Sequence, residues 1–137
     1  PTQRVREIGV RIKLNPNGEI FRDRDAVVVD DSIVRGTTAS RVVSLIRDAG
    51  ARSVHLRIAS PPVRFPCYYG IDTPCSEELA AARMDLEALR REVGADSLAY
   101  LDEADLVESI GLPEEKLCTA CFSGRYLEGG TCHDLEL

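Results

Sequence analysis

"AVVVDDSIVRGTTAS", residues 26–40, decides the fold. Val27, Val28 and Val29 make a short continuous run of β-branched residues, the pattern of a strand buried on both faces of a sheet. The run ends in two adjacent carboxylates, Asp30 and Asp31, and passes through a loop with Arg35, Gly36, Thr37 and Thr38. Beyond it Val42, Leu45, Ile46 and Ala49 share one helical stripe, and Gly50 stands where a helix-ending glycine belongs. A greasy strand does not need acids at its tip, and a turn does not need this many hydroxyls.

Working outward, residues 53–60 ("SVHLRIAS") alternate apolar and polar and read as a second strand. Pro61, Pro62 and Pro66 then exclude helix and force an extended loop. Residues 76–95 read as helical, with Ser76 as N-cap, glutamates in the first turn, and Asp85 placed to cap a second helix and break the segment in two. "SLAYL" (97–101) is a third strand, and Asp102 starts a helix ending near Gly111. Upstream, Val5, Ile8 and Ile12 fall at roughly helical spacing before an "NPNG" turn at 15–18. Strand, helix, strand, helix, strand, helix is the order of an α/β fold with an open, mostly parallel sheet flanked by helices. Ligands of such sheets sit beyond the carboxyl ends of the strands, where Asp30 and Asp31 fall.

The 137 residues suffice for one domain but leave little room for two. A net charge of −6 supplies no basic footprint for nucleic acid, and anionic membranes would repel an acidic surface. No apolar run approaches a membrane span and the first residues carry no signal-peptide pattern, so the expected setting is cytoplasmic. Five cysteines, an odd number, suit metal or cluster binding in a reducing compartment better than a closed disulfide framework. Cys118 and Cys121 form a CxxC. A second such pair is missing, so a complete zinc ribbon is not encoded.

The loop after the first strand leads into a helix N-terminus, whose free N–H groups and dipole attract an anion, most naturally phosphate. Gly36 lets the backbone approach closely, and the two threonines add donors. Asp30 and Asp31 would repel a bare phosphate. They make sense as acceptors for sugar hydroxyls or as ligands for Mg²⁺. A ribose 5-phosphate meets both demands. The Walker A pattern is absent, and a response-regulator receiver would need a phospho-acceptor aspartate ending a later strand, which "SVHLRIAS" does not offer.

"VVVDDSIVRGTT" resembles the phosphoribosyl-diphosphate (PRPP) motif of type I phosphoribosyltransferases, and its "SIVRGTT" extension is similar to that of glutamine PRPP amidotransferases. "VRIKLN", "SPPVRFPCYYGID", "EELAA", "VGADSLAYL" and "CTACFSGRY" stand in that family's order and spacing. The resemblance implies a partial type I phosphoribosyltransferase fold and the first committed reaction of purine synthesis. In that reaction ammonia, supplied by glutamine hydrolysis in a separate domain, displaces diphosphate from PRPP to give 5-phosphoribosylamine. It implies catalytic and Mg²⁺-binding roles for Asp30 and Asp31, which would bind the ribose hydroxyls. Ser32, Ile33, Val34, Arg35, Gly36, Thr37 and Thr38 would cradle the 5-phosphate. Purine nucleotide feedback inhibitors would compete for the same loop.

The resemblance also places Cys67, Cys118 and Cys121 at three positions that hold a [4Fe–4S] cluster in part of the family; the fourth ligand has no counterpart in these residues. Cys75 reads as a buried small hydrophobe and Cys132 as a tail thiol. Cys132 with His133 is a weak zinc candidate, and His55 and Arg57 read as surface or packing residues. The glutaminase half and the upstream half of the transferase domain have no counterpart either. The expectation is therefore that residues 1–137 are the C-terminal portion of a transferase domain with a cysteine-containing tail at 113–137. Such a piece would be inactive alone and inclined to associate with itself or with its missing half. Two alternatives are a non-catalytic nucleotide-sensing regulator of the same fold and an orotate- or hypoxanthine-type transferase. Neither has a reason to carry the two cysteine motifs.

Overall fold

The computed structural model describes residues 18–126 apart from Asp72 and Pro74. The expected helix before residue 15, most of the turn at 15–18, Cys132 and His133 lie outside the described residues. Chain order is α1 (Gly18–Phe21), β1 (Asp25–Asp30), α2 (Thr37–Asp48), β2 (Ser53–Ile58), a 3₁₀ turn (Ser76–Glu78), α3 (Ala80–Arg83) and α4 (Leu86–Val93). β3 (Ser97–Tyr100), α5 (Glu103–Ile110), a second 3₁₀ turn (Glu114–Lys116) and α6 (Ala120–Ser123) follow. The strands form a parallel sheet in the order β1-β2-β3, with Val28 opposite Leu56 and Leu56 opposite Leu98. The α/β reading and its three strands are thereby found.

Period-two alternation sends Ala26 and Val28, then Val54, Leu56 and Ile58, then Leu98, to the face covered by α2 and α4. Val43 and Ile46 from α2 and Leu89 and Val93 from α4 fill that layer, with Leu56 and Leu89 each 1% exposed. Asp85 caps α4 as expected: its carboxylate accepts from Ala88 N–H at 2.7 Å. α2 ends at Asp48 with Ala49 as its C-cap, followed by the left-handed Gly50.

The opposite face differs from expectation. Val27 is 63% and Val29 73% exposed, so β1 is covered on one face only among the described residues. The residues that share this face carry polar chemistry across the middle strand. His55 bonds through its two ring nitrogens to the hydroxyls of Ser53 (3.0 Å) and Ser97 (2.8 Å), and Arg57 donates to Ser97 and to the Leu56 carbonyl. His55 is thus a half-buried packing residue, and Arg57 an exposed surface residue. A parallel strand with valines on both sides is suited to a second covering layer.

Ser76 is not an N-cap. The segment is a 3₁₀ turn preceded by Cys75, and Leu79 adopts an extended conformation (φ −76°, ψ 116°) that separates it from α3. The reason is tertiary: Ala80 N–H donates at 2.8 Å to the Val34 carbonyl in the site loop, and Leu79 is fully buried. A helix running through Leu79 would sacrifice both. Cys75 is also exposed, not buried. A hydrogen bond with Glu77 pushes its thiol pKa up, which makes it a poor thiolate.

Asp96 ties α4 to the sheet. It accepts from Val54 N–H at 2.6 Å and from Arg47 at 2.8 Å, and these bonds, that from Val54 foremost, hold its carboxyl below the usual range. A carboxyl depressed by folding stabilises above its unfolded pKa and loses that contribution as pH falls through the folded value. Thermal midpoints measured from pH 7 to pH 3 are expected to fall more steeply below about pH 4 in the parent than in Asp96→Asn.

Candidate functional site

The loop at the end of β1 is built by three local constraints. Ile33, 2% exposed, anchors its middle in the core. Val34 fixes it to Ala80 through the carbonyl just described. Gly36 turns it into α2 with φ +84°, a left-handed conformation that L side chains rarely adopt, while facing Leu89, Ala80 and Val93. Residues 30–39 line a concavity of about 280 Å³.

At one end of that concavity are the carboxylates. Asp30 Oδ1 accepts from Asp31 N–H at 3.1 Å, and Asp31 Oδ1 from Ser32 N–H at 2.7 Å. At the other end α2 begins without a side-chain cap, and its first internal bond runs from Ser40 N–H to the Gly36 carbonyl. The amides of Thr37, Thr38 and Ala39 precede that bond, so they are the orphan donors of a helix start. Thr37 and Thr38 are exposed. Arg35 is the one cation among the lining residues. The arrangement presents acceptors for hydroxyls at the strand end and donors for an anion at the helix start. All nine residues singled out by sequence, from Asp30 to Thr38, thus line one surface.

The cysteines gather elsewhere. Arg64 and Phe65 N–H both donate to the Cys121 carbonyl (3.0 and 3.1 Å), so the proline-rich loop lies along the CxxC turn. Tyr126 reinforces this contact: its hydroxyl donates to the Pro66 carbonyl at 2.7 Å and its ring lies 4.8 Å from that of Tyr68. Cys67 Sγ accepts from Tyr69 N–H at 3.4 Å, and Cys67 N–H donates to Thr73 Oγ1. Burial pushes the Cys121 thiol up, and the neighbouring Cys67 and Cys118 push it further. Three thiols thus share one neighbourhood, although no three His, Cys, Asp or Glu side chains among the described residues converge on a single-ion site.

Sequence reasoning missed Glu78, Thr73 and Tyr126. Their partners lie at 43, 6 and 60 residues' separation, and only the Thr73 contact is short enough to leave a local signal.

No family model matches the chain. Amidophosphoribosyltransferase 1 of the Arabidopsis thaliana chloroplast is 49% identical over 126 residues, which are 92% of this chain and 22% of the relative. The Mycobacterium tuberculosis amidophosphoribosyltransferase is 48% identical over 131 residues, 92% and 25%. Glutamine PRPP amidotransferase of B. subtilis, solved with ADP and GMP, superposes with a TM-score of 0.79 at 46% identity over 92% of this chain and 29% of its own. Its relatives are amidophosphoribosyltransferases. The chain spans about a quarter of the length of the curated amidophosphoribosyltransferases it matches, and its three-stranded sheet is a part of their fold.

Proposed function

We propose that this chain carries the ribose-5-phosphate half of the PRPP site in an amidophosphoribosyltransferase, the first committed transferase of purine synthesis. The observation that carries the reading is the loop at 30–39, where paired carboxylates and an uncapped helix start face one concavity. Asp30 and Asp31 accept the 2- and 3-hydroxyls of the ribose and, as anions close to the sugar, stabilise positive charge developing at the anomeric carbon. Arg35, the amides of residues 36–38 and the threonine hydroxyls hold the 5-phosphate. Displacement of diphosphate by ammonia requires parts of the site outside these residues, so the chain alone is expected to be inactive. Purine nucleotides, which share the ribose phosphate, compete for the same loop. The ADP and GMP bound to the B. subtilis enzyme support that part of the reading.

Two adjacent carboxylates suit Mg²⁺, which takes one or two protein carboxylates and completes its shell with water and substrate phosphate oxygens. Asp30 and Asp31 would hold it, and it would supply charge neutralisation for the departing diphosphate. Cys67, Cys118 and Cys121 suit three corners of a [4Fe–4S] cluster, since such clusters are held by four thiolates. Burial, which pushes the Cys121 thiol up, fits a thiol that ionises on binding iron. The exposed valine face of β1 supports association with a further copy or with the remainder of the transferase domain. No described helix is long and apolar enough to cross a membrane. A cytoplasmic setting remains part of this proposal, alongside the chloroplast setting named for the plant relatives.

Calorimetric titration with PRPP and Mg²⁺ tests the reading. Asp30→Asn with Asp31→Asn is expected to weaken binding at least tenfold, about 1.4 kcal/mol. Equal binding by parent and variant would remove the carboxylates from the site.

A further inference from the structure

The loop holds two carboxylates and one guanidinium within a few residues, and the default fate of such groups is to pair with one another. That pairing would occupy the acceptors needed for hydroxyls and the donors needed for phosphate at once. It does not occur. Arg35 Nε instead donates to Glu78 Oε2 at 2.7 Å, across 43 residues of chain. Among the described residues the carboxylates of Asp30 and Asp31 take only neighbouring amides and the Ser32 hydroxyl.

The pair is half exposed, with 52% of each side chain accessible, so its ion pairing contributes little to stability. Its effect is geometric. Glu78 uses the Nε–H and leaves the outer donors of the planar guanidinium fork for an anion. The attachment is also well supported, because Ala80, two residues on, binds the Val34 carbonyl next to Arg35. The 3₁₀ turn and the site loop are therefore fastened at two successive points.

We propose that Glu78 is a positioning residue: it holds the Arg35 guanidinium away from Asp30 and Asp31 and aims it at the phosphate of the bound ribose phosphate. This rests on the ribose-5-phosphate reading above and deepens it. Without Glu78 the guanidinium folds back onto the loop's own carboxylates, and the chain loses its one charged phosphate donor in the loop without losing its fold.

A double-mutant cycle read with ribose 5-phosphate by calorimetry on the full chain decides the matter. Glu78→Ala is expected to weaken binding about tenfold in the parent and to have no effect in an Arg35→Ala background, with the thermal midpoint unchanged. Glu78→Gln, which keeps an acceptor for Nε–H, is expected to recover part of the loss. Additive effects of Glu78→Ala and Arg35→Ala, or undiminished affinity in Glu78→Ala, would overturn the positioning role and leave the ribose-phosphate reading standing. A parent that binds no ribose 5-phosphate would overturn both.

Discussion

Leu89→Ala is expected to destabilise the chain by about 2–5 kcal/mol, the usual cost of emptying a well-packed leucine site. Leu89 is 1% exposed and projects from α4 into the core it shares with α2 and the sheet. It also forms part of the floor of the site, since a Cβ built on Gly36 would lie 3.6 Å from its Cδ1. The substitution therefore removes support from beneath the glycine that turns the loop into α2. Urea denaturation is expected to show a lower midpoint at an unchanged slope, the mark of altered stability without altered compactness. Ribose 5-phosphate affinity measured well below that midpoint is expected to fall as well. Undiminished affinity would show that the loop holds its shape through Ile33 and Val34 alone.

Gly124→Ala is the second large effect, and it acts at the cysteines. Gly124 has φ +72°, where an L residue costs about 1–2 kcal/mol, and its new Cβ would come within 2.9 Å of the Phe65 ring. Phe65 is 37% exposed, so its ring has room to swing into solvent. The backbone cost remains, and the covering of the CxxC turn by the proline-rich loop is lost. Thermal midpoint and iron–sulfur absorbance after anaerobic reconstitution are the two readouts. The midpoint is expected to fall, and, on the proposal that Cys67, Cys118 and Cys121 hold a cluster, absorbance per chain to fall by more than the folded fraction explains. Parent-like absorbance would separate the Phe65–Gly124 contact from the placement of the thiols.

The sheet and the site loop were legible because their signals are local. Valine runs, a period-two strand and a glycine between acids and threonines each fit within a few residues. The segment from 76 to 83 was legible only in part. Its composition is helical, but the bond from Ala80 to Val34 and the burial of Leu79 outweigh propensity, and neither partner is nearby in sequence. Glu78 was read as a first-turn acid for the same reason, when its partner is Arg35. Cys75 was misplaced because cysteine is among the most often buried residues, a tendency that a polar stretch such as "CSEE" outweighs. Valines on both faces of β1 were read as doubly buried, and only the α2–α4 side is covered among the described residues.

The order β1-β2-β3 has a consequence for the timing of folding. Each strand docks beside its predecessor in the chain, so the sheet grows by closing one crossover at a time, without any contact between distant ends. Each pairing closes a long crossover, Asp25 with Ser53 and His55 with Ser97, so a parallel sheet of this kind forms more slowly than a fold of local contacts. The first unit that this growth completes is β1, α2 and β2, and the loop at 30–39 lies inside it. The geometry of that loop is then fixed at the earliest stage of assembly, with α5 added afterwards. Its kinetic signature is a high φ-value in α2 and a low one in α5; the reverse pattern would place the nucleus at β3.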